Sequence, residues 1–171
     1  MNQNDYFSTI HESKFDEYTY SGWELLNKIN RNEHVLDVGC GRNFFNPYLP
    51  HLIGVDPANK NADHMICIED FETDIKFDVA LCLGSINFGS YQTIYNQINK
   101  IVSLLKPKSR IYWRCNPGDH DHNNDECKEL DFFPWSYEYH NHFATNFKYN
   151  VHKICLEPYN GRIYAEWIKK Q

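Results

Sequence analysis

The 171 residues carry 42% hydrophobic and 23% charged side chains, the balance of a globular chain and not of a disordered one. The formal net charge of −6, from 17 basic and 23 acidic residues, argues against a duplex nucleic-acid partner, which selects a basic excess. No apolar run approaches the roughly 18 residues of a membrane span, and MNQNDYFSTIHES has neither the basic start nor the apolar core of a secretory signal.

Residues 1–171 read as one domain, in which 1–20, polar with scattered aromatics at the start, form a loose N-terminal arm or lid. In SGWELLNKI, Trp23, Leu26 and Ile29 recur three apart, the face of a short helix with Ser21 as its cap. Five short runs follow: HVLDVG (34–39), LIGVD (52–56), HMICIED (64–70), FDVALCLG (77–84) and SRIYWRC (109–115). Each is apolar at nearly every position, as strands covered on both faces of a parallel sheet are. Residues 57–63 and 71–76 are short for a parallel crossover, which takes about a dozen or more, so the helices there are stunted or the strand limits shift. Ile94, Ile98, Ile101 and Leu105 mark a helix stopped at Lys106-Pro107. Residues 136–147 read as a last helix, and 149–156 and 162–170 as two strands joined at the Asn160-Gly161 turn.

None of the six cysteines stands in a C-x-x-C pair, and Cys67, Cys82 and Cys115 lie in apolar stretches, as reduced buried thiols do. A cytoplasmic location is the expectation.

The chemistry concentrates where the first strand ends, in Val35-Leu36-Asp37-Val38-Gly39-Cys40-Gly41. The two glycines let the backbone turn tightly and come close to a ligand. The second strand ends in Asp56, an acid able to accept both hydroxyl protons of a ribose. A dinucleotide would need a third glycine where Phe44 stands, and Asp37 would repel its pyrophosphate. The same acid suits a cationic ligand, such as one bearing an amino group and a sulfonium.

With its order of strands, VLDVGCG resembles the opening motif of class I methyltransferases that use S-adenosylmethionine. The resemblance runs from about Val35 to Lys170 and includes LIGVD, IED, FDVALC and LLKPKSRIYW, with Asn43 in the place of the motif's third glycine. It implies an α/β, three-layer Rossmann-like sandwich whose mostly parallel, seven-stranded sheet ends in an antiparallel hairpin. It also implies S-adenosylmethionine as co-substrate. Asp37 would then serve the methionyl amino group, with Gly39, Cys40 and Gly41 passing beneath the methionyl and ribose parts. Asp56 would take the ribose hydroxyls, in a role that can be removed with little loss of folding. Pro57 would border the adenine, Glu69 or Asp70 would meet its amino group, and the backbone at Leu83 and Ser85 would face the methionyl end.

Acceptor chemistry is less sharply written. Asn87 and Phe88 after the fourth strand, and Trp113, Arg114 and Asn116 at the end of the fifth, are candidates because such loops border the ligand crevice. The following run, Asp119 to Cys127, holds His120 and His122, either of which could take a proton from a nucleophile near neutral pH. Their spacing does not make a metal site, and none is assigned. The fourth-strand loop lacks the prolines of base-amine methylases and the Pro-Cys of cytosine carbon methylation, so nucleic acid is not supported as acceptor. A small-molecule acceptor is the first expectation. The alternative is a sensor or partner subunit that binds S-adenosylmethionine without transferring its methyl group.

Overall fold

A computed structural model of the chain describes residues 3–9, 20–118 and 130–170. Four strands, β1 (Val35–Val38), β2 (Leu52–Val55), β3 (Phe77–Leu83) and β4 (Leu105–Cys115), run parallel; β5 (Tyr149–Leu156) and β6 (Ile163–Lys169) close the sheet as an antiparallel pair, giving the order β2-β1-β3-β4-β6-β5. The inner strands are apolar at most positions because both faces are covered. Leu36, Val38, Ala80, Cys82 and Ile111 point to one face, where Ile94, Ile98 and Ile101 of helix α2 (Tyr91–Ser103) and Phe143 and Ala144 of α3 (Tyr137–Asn146) pack on them. The alternate residues Val35, Val79, Leu81 and Tyr112 meet Leu25, Phe45 and Leu49 on the other. The Ser90 hydroxyl caps α2 by accepting from the Thr93 amide at 3.2 Å, and Ser136 caps α3 through Tyr139 at the same distance. Helix α1 (Gln3–Thr9) places Tyr6, 1% exposed, against Phe88, Leu130 and Phe132.

The sheet has six strands where seven are expected. HMICIED forms a single parallel bridge, His64 to Val55, and then a 3-10 helix over Ile68–Asp70. The short connections on either side hold no helix, so the segment has nothing to carry it back as a full strand. A loop instead satisfies the edge of β2. The Gly54 amide donates to Asp63 at 2.7 Å, His64 N donates to Gly54 O at 3.1 Å, and Asp56 N donates to His64 O at 3.1 Å.

Two local expectations also change. The first helix is a 3-10 turn, Trp23–Asn27, which buries Leu25 and leaves Trp23 40% exposed. Ser21 does not cap it; its hydroxyl donates to buried Glu157 at 2.7 Å. Leu105 begins β4 and does not end α2, and Lys106–Ser109 bulge from the strand before its register resumes at Arg110.

On α3, His140 is fully buried beside Trp113, Trp135 and Trp167, and among the described residues neither ring nitrogen has a hydrogen-bond partner. Burial holds its pKa down at about 3. The unfolded chain protonates this histidine below pH ~6.5 while the folded chain stays neutral. Stability is therefore complete above that pH and falls by about 1.4 kcal/mol per pH unit as acid is added, until the folded pKa is reached. His140→Leu is expected to raise the melting temperature at pH 7 and to flatten its decline between pH 6 and 4. An unchanged slope in a pH series of thermal melts would discard the idea.

Candidate functional site

At the C-terminal ends of the parallel strands lies a cleft of about 380 Å³. Gly39 (φ 66°), Gly41 (φ 53°) and Asn43 (φ 57°) occupy the left-handed region within one short turn, which wraps the chain tightly under the cleft. Asparagine tolerates that region better than most side chains, which fits Asn43 to the third glycine's place. Its Nδ2 donates to Asn61 O and to Asp63, each at 3.2 Å. At Gly39 a side chain has no room: a Cβ would stand 2.2 Å from Ser85 Cβ.

Asp37 lines the cleft while only 4% exposed. Among the described residues its carboxyl has no hydrogen bond and no ion pair. Burial first, then the nearby Asp56 and Asp63, push its pKa up to about 7. Asp56 is differently placed. Its Oδ2 accepts from the Gly41 amide at 2.9 Å, and its Oδ1 accepts from Ala58 at 2.8 Å and Asn59 at 3.0 Å. The carboxylate thus ties the turn after β1 to the turn after β2. The Cys40 thiol is pushed up by burial and by Asp37, Asp56 and Asp63, so it stays protonated.

Of the residues expected around a cofactor, Asp37, Gly39, Cys40, Gly41, Asp56, Pro57, Glu69, Leu83 and Ser85 line this one cleft, and Asp70 does not. Glu69 accepts from Gln97 Nε2 at 2.7 Å. The Gln97 Oε1 and the Ser85 hydroxyl are buried atoms with no partner in the described structure. Of the acceptor candidates, Phe88 and Arg114 line the cleft. Trp113 does not: strand alternation turns it into the helix-covered core, between Trp135 and Trp167. Asn87 and Asn116, each 1% exposed, lie behind the wall as framework, with the Asn116 amide donating to Asn87 Oδ1 at 3.1 Å. His120 and His122, with the rest of the Asp119–Cys127 run, lie outside the described residues.

Sequence reasoning missed Gln97 and Arg162, which also line the cleft, as do Gln3 and Phe7 of α1. Gln97 sits between core positions of α2 with no motif around it. Arg162 follows the hairpin turn and comes level with Asn116 only through the antiparallel register that pairs Cys115 with Ile163.

No family model matches the sequence, and no curated protein matches it in sequence. Solved structures do match the fold. At 14% identity, 92% of the chain superimposes on 80% of the 1,6-didemethyltoxoflavin N1-methyltransferase of Burkholderia thailandensis, solved with its substrate and S-adenosylhomocysteine, at a TM-score of 0.73. The magnesium protoporphyrin IX methyltransferase of Synechocystis PCC 6803, bound to S-adenosylmethionine, aligns over 98% of this chain and 95% of its own at 11% identity and a TM-score of 0.67. An amino pentose methyltransferase of Micromonospora echinaspora, also with S-adenosylmethionine, aligns over 94% and 93% at 14% identity and 0.66. The chain has the fold of class I S-adenosylmethionine-dependent methyltransferases.

Proposed function

We propose that the protein binds S-adenosylmethionine in this cleft and transfers its methyl group to a small-molecule acceptor. The observation that carries the reading is Asp37: a buried carboxyl with no partner in the described structure, set beside a glycine turn at the end of β1. A buried acid is costly unless a cation meets it. The ammonium and sulfonium of this donor are cations, whereas the pyrophosphate of a dinucleotide would add charge of the same sign.

In this reading Asp56 offers its remaining acceptor capacity to the ribose, and Pro57 borders the adenine. Gln97, held by Glu69, presents Oε1 to the adenine amino group in the role first expected of Glu69 or Asp70. Ser85 and the backbone at Leu83 meet the methionyl end. The sulfonium supplies an activated methyl carbon, so the chain's own task is to align the acceptor and exclude water. Helix α1 acts as a lid, with Phe7 set edge-on against Phe88 at 5.4 Å. That aromatic contact at the cleft also favours the second reading, a binding protein without transfer. Release of labelled methyl into a pool of small-molecule acceptors separates the two.

Titration calorimetry tests the site. S-adenosylmethionine and S-adenosylhomocysteine are expected to bind, and nicotinamide dinucleotides are not. Binding of a cation needs ionised Asp37, so affinity is expected to fall as pH drops through about 7 and to level off above it. Dinucleotide binding without adenosylmethionine binding would reverse the assignment.

A further inference from the structure

We propose that Asp63 is a positioning residue of the donor site: from outside the cleft it holds Asn43 in the left-handed conformation that completes the turn after β1. The inference deepens the S-adenosylmethionine reading above and rests on it.

Three residues of that turn are left-handed, and the first two are glycines. The third, Asn43 at φ 57°, carries a side chain. Asparagine is strained in that region less than most residues, but it stays there only where its surroundings hold it. The first half of the turn is held by the end of β2. Gly39 N and Cys40 N donate to Val55 O at 2.7 and 3.2 Å, and Gly41 N donates to Asp56 Oδ2 at 2.9 Å. Asn43 is held from a different quarter. The residue is only 8% exposed, and its Nδ2 donates to Asn61 O and to Asp63 Oδ2, each at 3.2 Å.

The same Asp63 oxygen accepts from the Gly54 amide at 2.7 Å and from Asn46 Nδ2 at 3.4 Å. One carboxylate oxygen therefore joins β2, the residue that closes the turn and the chain just beyond it. Gly54 lies on the outermost strand, where its amide faces away from β1 and needs an acceptor from outside the sheet. The acid that satisfies this edge is thus the acid that holds the turn, which fixes the two relative to each other. They are in close contact: a Cβ on Gly54 would stand 2.8 Å from Asn43 Oδ1 and 2.8 Å from Cys40 Sγ. Asp63 does not line the cleft, whereas Gly39, Cys40, Gly41 and Arg42 of the turn do. Its effect on a ligand is therefore indirect. Release of Asn43 re-aims the backbone from Gly41 onward, and a misplacement of about 1 Å is enough to spoil positioning groups.

Calorimetry with S-adenosylhomocysteine tests this at pH 8.5, where Asp37 is ionised whether or not Asp63 bears a charge. Asp63→Ala is expected to weaken binding ten-fold or more. Asn43→Ala, which breaks the same bond from its other end, should weaken it by as much. Asp63→Asn, which keeps an acceptor oxygen for Asn43 and Gly54, should stay within three-fold of wild type. On an Asn43→Gly background, where residue 43 enters the left-handed region freely, Asp63→Ala should cost three-fold or less. A role confined to the sheet edge would give no such coupling. Asp63 is exposed and outside the core clusters, so the variants are expected to fold, with a lower melting temperature for Asp63→Ala because the Gly54 amide loses its partner. The proposal is overturned if Asp63→Ala or Asn43→Ala binds within three-fold of wild type, or if Asp63→Asn binds as weakly as Asp63→Ala. It is also overturned if Asp63→Ala costs as much on Asn43→Gly as on the native turn. Failure of wild-type protein to bind S-adenosylhomocysteine strikes instead at the cofactor reading.

Discussion

Gly39→Ala is expected to abolish binding of S-adenosylhomocysteine and S-adenosylmethionine. Two separate costs meet at this position. The residue sits at φ 66°, where a side chain costs about 1–2 kcal/mol. The new Cβ would also stand 2.2 Å from Ser85 Cβ, while carbon atoms pack comfortably at about 3.5–4 Å. Relief requires the turn after β1 and the turn after β3 to separate by roughly 1 Å or more, and a shift of that size in positioning groups costs on the order of 100-fold. Both turns line the cleft, so the damage falls on the site before it reaches the core. The melting temperature is expected to drop by about 5–10 °C, consistent with a few kcal/mol in a domain of this size, with the secondary structure retained. Calorimetry and a thermal melt check both parts. Binding within ten-fold of wild type would show that the turn does not approach the ligand.

Asp56→Ala should lose affinity for S-adenosylhomocysteine by 100-fold or more and should also destabilise the protein. The second effect departs from the expectation that this acid can be removed with little loss of folding. In the folded chain the carboxylate accepts from the amides of Gly41, Ala58 and Asn59, so alanine orphans three donors in addition to removing the ribose contact. An unsatisfied buried donor costs about 1–3 kcal/mol, and less where water reaches it. A fall in melting temperature of about 5–10 °C follows at this chain length. Asp56→Asn keeps a carbonyl oxygen for part of that network. It should recover much of the stability while leaving affinity more than ten-fold down, because the ribose bonds lose their charge. If Asp56→Ala melts like wild type and binds within two-fold, both roles given to Asp56 are wrong.

Much of this was legible in the chain itself because its causes are local or periodic. A strand buried on both faces must be apolar at consecutive positions, so β1, β2, β3 and the core of β4 could be read directly, as could the hairpin from Asn160-Gly161. The glycine turn and the acid after β2 are local requirements of a backbone that turns under a ligand, and their residues reach one cleft. HMICIED was misread because its apolar content is that of a strand, and only the connections on either side, too short for a crossover helix, deny it a full place in the sheet. Trp113 and Arg114 are neighbours that composition cannot separate; the pleat of β4 sends one into the tryptophan core and the other to the cleft. Arg162 and Asn116 are 46 positions apart, and Gln97 and Glu69 are 28 apart. Such pairs carry no local signature, since what joins them is strand register and helix packing, which exist only once the whole sheet has formed.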